Sequence, residues 1–340
     1  MRNLTAVIAA AVAFAVTTLS GFIVIPYLRR LKFGQTILEI GPKWHEGKKG
    51  TPTMGGIMII AGVIIALAAA YGYSVITGSD YAKELKTPFN LSVFLSGIFM
   101  ALGMGAIGFF DDYIKVVKKR NLGLTAKQKT FLQLLVSALY LLTLALCGVK
   151  TTNIPFIGDI NITGGIGLIF WPVALIFVYG FTNAVNLTDG LDGLASSVTL
   201  VGACAFMLVC GFFGLGQGNA TAAALAGACA GFVVWNNKPA KVFMGDTGSM
   251  FLGGMMVALS FSTGRPVILV IIGIIYIVEA FSVMLQVAYY KKTKKRIFKM
   301  APIHHHFEMC GWSEEKVVMV FSIITLIASV LAMFLVILGR

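Results

Sequence analysis

No residue between Arg2 and Arg29 carries a charge, and windows of this kind recur along the whole chain. They run from Gly50 to Ser79, Thr87 to Phe110, Thr130 to Val149 and Ile160 to Thr188. The window from Gly193 to Asn237 covers 45 residues, enough for two crossings with a turn at Gly211–Asn219. Thr247 to Tyr290 holds two more, split near Thr263–Pro266, and Val317 to Gly339 is the last. A membrane-crossing helix needs about 20 predominantly apolar residues, and runs of that length cannot face water. The windows therefore predict an all-α polytopic membrane protein of ten transmembrane helices, a single domain over residues 1–340. Only 12% of the residues are charged, against about 25% in an ordinary soluble domain, which excludes a soluble globular enzyme and a disordered chain. The first window is too long for the core of a signal peptide and ends in Arg29-Arg30, so it reads as a span. The five cysteines, Cys147, Cys204, Cys210, Cys229 and Cys310, are scattered without a CxxC pair and read as small packing residues.

The net charge of +13 would point to nucleic acid in a soluble protein. Here it sorts by side instead. Alternating the loops puts 21 of the 27 basic residues on one face, in Arg29–Lys49, Lys115–Lys129, Lys238–Lys241 and Lys291–Lys316. The positive-inside rule makes that face cytoplasmic and both termini extracytoplasmic, with no nucleic acid partner. On the outer side, residues 153–162 alternate apolar residues around Gly158-Asp159, which predicts a small β-hairpin with those two residues at its turn.

The acids sort the same way. Asp80, Glu84 and Asp159 lie outside, Glu279 lies inside a span, and the other ten of the 14 are cytoplasmic. Asp111, Asp112, Asp189, Asp192 and Asp246 stand at helix ends in Gly- and Asn-rich surroundings. A lone carboxylate there is usually a solvated end residue, but five on one face point to chemistry. Lys115 follows Asp111 by four residues and can pair with it on a continuing helix, as a helix-end ion pair or as part of a metal or phosphate site. Asn183, Asn186, Asp189 and Asp192 recur every three residues, an array of hard oxygens suited to Mg²⁺. Asp246, Thr247 and Ser249 either cap the following helix or take a phosphate with a metal. The run His304-His305-His306 has no cysteine pair and poor zinc spacing, so contacts to phosphates or a sugar fit it better. Lys291–Lys299 reads as an anionic-lipid contact, and Gly50–Gly56 as a chain break that can form a nucleotide-facing loop. Together these features suit phosphoryl transfer between a soluble donor and a membrane-bound acceptor.

The motifs Gly50-Thr-Pro-Thr-Met-Gly-Gly56, Asp111-Asp112-Tyr-Ile-Lys115, Asn186-Leu-Thr-Asp-Gly-Leu-Asp-Gly193, Phe243-Met-Gly-Asp-Thr-Gly-Ser249 and Pro302-Ile-His-His-His-Phe-Glu308 resemble the bacterial phospho-N-acetylmuramoyl-pentapeptide transferases. These belong to the polyprenyl-phosphate N-acetylhexosamine-1-phosphate transferase superfamily. The resemblance covers nearly the whole chain. It implies a Mg²⁺-dependent transfer from UDP-N-acetylmuramoyl-pentapeptide to undecaprenyl phosphate, giving lipid I and UMP at the cytoplasmic face of the bacterial cytoplasmic membrane. It also implies Asp246 as a catalytic metal ligand, with Asp111 and Asp112 as catalytic neighbours, one of them helping to activate the lipid phosphate, Lys48, Lys115 and Lys127 on phosphates, and Thr53 binding substrate. Asn183, Asn186, Asp189 and Asp192 would line the nucleoside side and Phe243 would stack on uracil. Gln286, His304, His305 and His306 would complete the pocket, with His305 as a catalytic residue. A homodimer and inhibition by uridine-based antibiotics are implied as well. Two alternatives differ in kind: a sister transferase using UDP-N-acetylglucosamine, and a secondary transporter, for which only Glu279 is placed mid-span.

Overall fold

The computed structural model describes residues 2–31, 48, 50–117 and 122–339, apart from the side chains of Arg2, Asn3 and Val117. Lys32, Lys43, Lys49, Lys118, Lys119, Arg120 and Arg340, all used in the charge count, lie outside the described residues. In chain order the elements are α1 (Arg2–Arg30), α2 (Gly56–Thr77), α3 (Asp80–Glu84), α4 (Pro88–Val117) and α5 (Ala126–Leu146). Then come β1 (Thr151–Ile154), β2 (Gly158–Asn161), α6 (Gly167–Thr188), α7 (Leu194–Phe213) and α8 (Gly216–Asn236). The last are α9 (Gly245–Ser262), α10 (Ile268–Ile272), α11 (Ile274–Thr293), α12 (Ile303–Met309) and α13 (Glu314–Leu338).

Nine of the described helices are long and apolar enough to cross a membrane: α1, α2, α4, α5, α6, α7, α8, α11 and α13. The helix absent from that set is α9, where the sequence places an eighth span. It has 18 residues, all buried from Thr247 to Ser260, and includes Gly248, Ser249, Gly253 and Gly254. Its surroundings are protein rather than lipid, so small and polar residues replace the branched apolar ones of an outer helix. It packs most extensively against α4 and also against α6 and α2. Around that axis α1 lies against α2 and α8, and α7 lies against α8 and α13.

The breaks fall where turn chemistry places them. Gly214 ends α7 in the left-handed conformation, and Thr263 with Gly264 ends α9. The expected hairpin forms, but its turn is not Gly158-Asp159. Thr151 pairs with Asn161 and Ile154 with Gly158, so the loop is Pro155-Phe156-Ile157. Pro155 has no N–H for the ladder and ends the pairing, while Phe156 and Gly158 take positive φ of 67° and 90°. The hairpin is tied to the bundle by the Asn153 N–H donating to the Gly264 carbonyl at 2.9 Å.

Candidate active site

The site is built where α9 begins between the ends of α2, α4 and α6. The chain before α2 lies alongside the chain before α9. Phe243 N–H donates to the Pro52 carbonyl at 2.8 Å, and Gly55 N–H returns to the Phe243 carbonyl at 2.8 Å. A Cβ on Gly56 would overlap the Gly248 backbone, and one on Gly108 would overlap the Asp246 carbonyl. The Gly50–Gly56 segment is therefore a close-packed seam that sets Thr53 beside Gly245 and Asp112.

That packing brings Asp111, Asp112 and Asp246 together, with one carboxylate oxygen from each within 4.8 Å of the others. Helix α4 continues through Lys115, whose ammonium lies 2.6 Å from Asp111 Oδ2 and 3.1 Å from Asp246 Oδ2. Lys129, in the first turn of α5, lies 2.8 Å from the same Asp246 oxygen and 3.9 Å from Asp111 Oδ2. Asp246 Oδ1 accepts from the Asn186 side-chain amide at 2.9 Å, and that amide also donates to Ser249 at 2.8 Å. Asp111 Oδ1 accepts from Leu124 N–H at 2.8 Å, which fixes the described end of the loop between α4 and α5.

Asp246 does not cap α9. The N-cap residue is Met244, without a side-chain cap bond, and Asp246 sits inside the first turn. The cap comes from another helix: Asp112 Oδ2 accepts Thr247 N–H at 3.0 Å and Thr247 Oγ1 at 2.9 Å. A carboxylate there satisfies an orphan donor and meets the positive end of the helix dipole. This leaves Asp246 to face the lysines. The three carboxylates are hard oxygen donors that outnumber the two ammonium groups, and together they could hold a divalent cation.

The array at every third residue does not form one row of oxygens. Asn183 exchanges hydrogen bonds with Gln133 of α5 at 3.1 and 3.2 Å, away from Asp246. Asn186 alone of the four contacts the acidic trio. Asp189 is the C-cap of α6, and burial, followed by the charges of Asp246, Asp112 and Asp192, pushes its carboxyl well above the usual range. Asp192 Oδ1 lies 2.7 Å from Lys48 and its Oδ2 accepts Ala240 N–H at 3.0 Å. Lys48 is also 2.6 Å from Glu314 at the start of α13. Burial lowers the Lys48 pKa, but these two carboxylates outweigh it and the net shift is upward.

The histidines form a neighbouring layer. His304 is buried against Gly190, and its Nδ1 lies 3.1 Å from Glu279 of α11. His305 Nδ1 is 2.7 Å from Glu308. His306 Nδ1 accepts from Lys299 N–H at 3.2 Å. Gln286 accepts from Ile297 and Phe298 N–H and donates to the Phe298 carbonyl, so it shapes the segment bearing the histidines. Lys127 is exposed, whereas Lys129, which the sequence reading missed, joins the aspartates. The burial of Gln133, Ser137, Tyr140 and Leu144 carries the signal for Lys129: stepping back four residues from Gln133 reaches it.

Residues 94–264 match the glycosyl transferase family 4, and residues 48–60 match phospho-N-acetylmuramoyl-pentapeptide-transferase signature 1. A phospho-N-acetylmuramoyl-pentapeptide-transferase of Halalkalibacterium halodurans is 41% identical over 328 residues, 95% of each chain. One from Listeria monocytogenes is 44% identical over 330 residues, 96% of this chain and 97% of its own. One from Clostridium perfringens is 46% identical over 323 residues, 94% of each chain.

Proposed function

The chain belongs to the phospho-N-acetylmuramoyl-pentapeptide-transferase family, and from that premise we propose how its acidic cluster carries the transfer. The enzyme moves phospho-N-acetylmuramoyl-pentapeptide from its UDP-linked donor to undecaprenyl phosphate, giving lipid I and UMP in a membrane step of peptidoglycan synthesis. The observation that carries our reading of the site is the convergence of Asp111, Asp112 and Asp246 with Lys115 and Lys129.

Asp246 is the principal ligand for Mg²⁺, with Asp111 and Asp112 at its side. Bound there, the ion supplies neutralisation of the charge that develops on the departing UMP. Lys115 and Lys129 hold phosphate oxygens of donor and lipid. An oxygen of the lipid phosphate attacks the sugar-linked phosphorus, the bond from that phosphorus to the UMP oxygen breaks, and UMP takes the electron pair. The attacking phosphate monoester has a second pKa near 6 and is largely ionised at neutral pH, so it needs little help from a base. The Asp189–Asp192 loop and Phe243 line the nucleoside side. Thr53 borders it at Gly245. Gln286 shapes it by setting the histidine segment rather than by reaching the ligand. His305, braced by Glu308, faces the sugar-phosphate side.

The charge asymmetry supports a ten-crossing arrangement with α9 as the tenth, buried crossing, termini outside and the site at the cytoplasmic face of the bacterial membrane. The exposed apolar faces of α1 and α13 meet lipid or a second copy in a homodimer. Uridine-based antibiotics would compete for the nucleoside side.

The test is UMP release by purified protein with undecaprenyl phosphate and Mg²⁺. UDP-N-acetylmuramoyl-pentapeptide and UDP-N-acetylglucosamine are supplied in parallel. Turnover of the muramoyl donor alone is expected. A covalent phospho-enzyme trapped without lipid would replace direct attack by a two-step route.

A further inference from the structure

An ammonium group has three N–H donors. In Lys48 two of them are committed, to Asp192 Oδ1 at 2.7 Å and to Glu314 Oε2 at 2.6 Å. Both carboxylates are buried, with side chains 3% and 6% exposed, while the Lys48 side chain is 18% exposed. Two fixed, buried acceptors leave the third N–H uncommitted, and among the described residues no other hydrogen bond engages it.

Glu314 reaches this point from the first turn of α13, on the far side of the sequence from Lys48. The same oxygen that binds Lys48 also accepts Asp192 N–H at 3.4 Å. Its other oxygen lies 3.8 Å from Lys238 in the chain between α8 and α9. Glu314 thus ties four segments together: the chain before α2, the Asp189–Asp192 loop, the chain before α9, and the last span. None of the sequence motifs contains it, and it does not touch the acidic trio.

We propose that Glu314 is a positioning residue for donor binding: with Asp192 it orients the Lys48 ammonium so that its remaining N–H meets an acceptor oxygen of the nucleoside diphosphate donor. This rests on the reading that Lys48 contacts the donor. Neutralising Glu314 leaves Lys48 with one charged anchor and a weaker second acceptor, so donor affinity falls while the reacting groups stay in place.

The experiment measures KM and kcat for UDP-N-acetylmuramoyl-pentapeptide in the wild type, Lys48→Met, Glu314→Gln, Glu314→Asp and the Lys48→Met/Glu314→Gln double variant. Thermal stability in detergent is followed alongside. Glu314→Gln is expected to raise KM about tenfold, the size of one lost charged hydrogen bond, with kcat within about twofold. Glu314→Asp should recover part of the loss. The double variant should match Lys48→Met rather than multiply the two effects. Inhibition constants of UDP and uridine locate the contact: weakening of UDP alone puts it on the diphosphate, and weakening of both puts it on the nucleoside. Multiplicative effects, or a loss confined to kcat, would overturn the proposal while leaving Lys48 a donor contact. An unchanged KM in Lys48→Met would instead remove the reading on which it rests. If Glu314→Gln does not fold, the Glu314→Asp KM and its coupling to Lys48→Met decide the question.

Discussion

Among the described residues, two helices are capped by a carboxylate from another helix, one at each end of the bundle. At one end Glu84 of α3 accepts the N–H groups of Gly216 and Gln217 at 2.7 and 2.8 Å and caps α8. At the other end Asp112 of α4 accepts from the Thr247 N–H and hydroxyl and caps α9. The device is the same, but the company differs. Asp112 sits within 4.8 Å of oxygens from Asp111 and Asp246. A cap alone does not require that crowding, and like charges so close weaken the folded state unless a cation joins them. The Glu84 cap serves the fold; the Asp112 cap belongs to a cluster of three carboxylates that Lys115 and Lys129 only partly neutralise.

The variants that test this contrast run from large effects to small. Asp246→Asn should lower turnover by about 10³-fold, because it removes a ligand and the acceptor shared by two lysines; UMP release at saturating Mg²⁺ measures it. Asp112→Asn should cost about 10²-fold in turnover, yet leave the melting temperature in detergent equal to or above that of the wild type, since it relieves repulsion at a functional site. A clear drop in melting temperature would make Asp112 an ordinary cap. Lys129→Met should cost about tenfold or more in kcat/KM, as for a lost charged contact, and Lys127→Met less than about twofold. Equal losses would break the assignment of Lys129. Glu84→Gln should leave turnover unchanged while lowering stability by about 1.5 kcal/mol, read from denaturation in detergent.

The Lys48 clamp adds a pH signature. Its pKa in the folded protein is raised, so its stabilising contribution is complete below the unfolded value near 10.4 and is lost as pH climbs through the folded value. The stability gap between wild type and Lys48→Met should therefore stay constant from pH 7 to 9 and close only in strong alkali. A gap that closes below pH 9 would contradict the clamp.

Much of this was legible in the sequence, for reasons that differ from residue to residue. Charge-free windows mark lipid-facing helices because the bilayer imposes the same rule on each. The rule loses force for α9, where protein replaces lipid as the neighbour. The Asp111–Lys115 pair could be read because both lie on one helix, four residues apart. The Lys48–Glu314 pair could not, because only the tertiary fold joins positions 266 residues apart. Between Lys127 and Lys129 the phase of α5 decides. Stepping down from the exposed Phe131, Leu135 and Leu139 reaches Lys127, and stepping down from the buried Gln133 and Ser137 reaches Lys129. A polar Gln and Ser within an apolar helix were the available sign of its inward face. The hairpin turn was misplaced because Gly158-Asp159 suits a two-residue loop as well as a strand start, and Pro155 settles the choice.

The backbone contacts at Gly56 and Gly108 carry a consequence for genetics. At these two positions a single methyl group would have to push α9 away from α2 or α4, separating carboxylates that must meet within a few ångströms. The tolerance of this enzyme to inheritance is therefore set by volume as well as by charge. A screen that follows only acids, lysines and histidines would pass over two of the residues whose loss should silence it most completely.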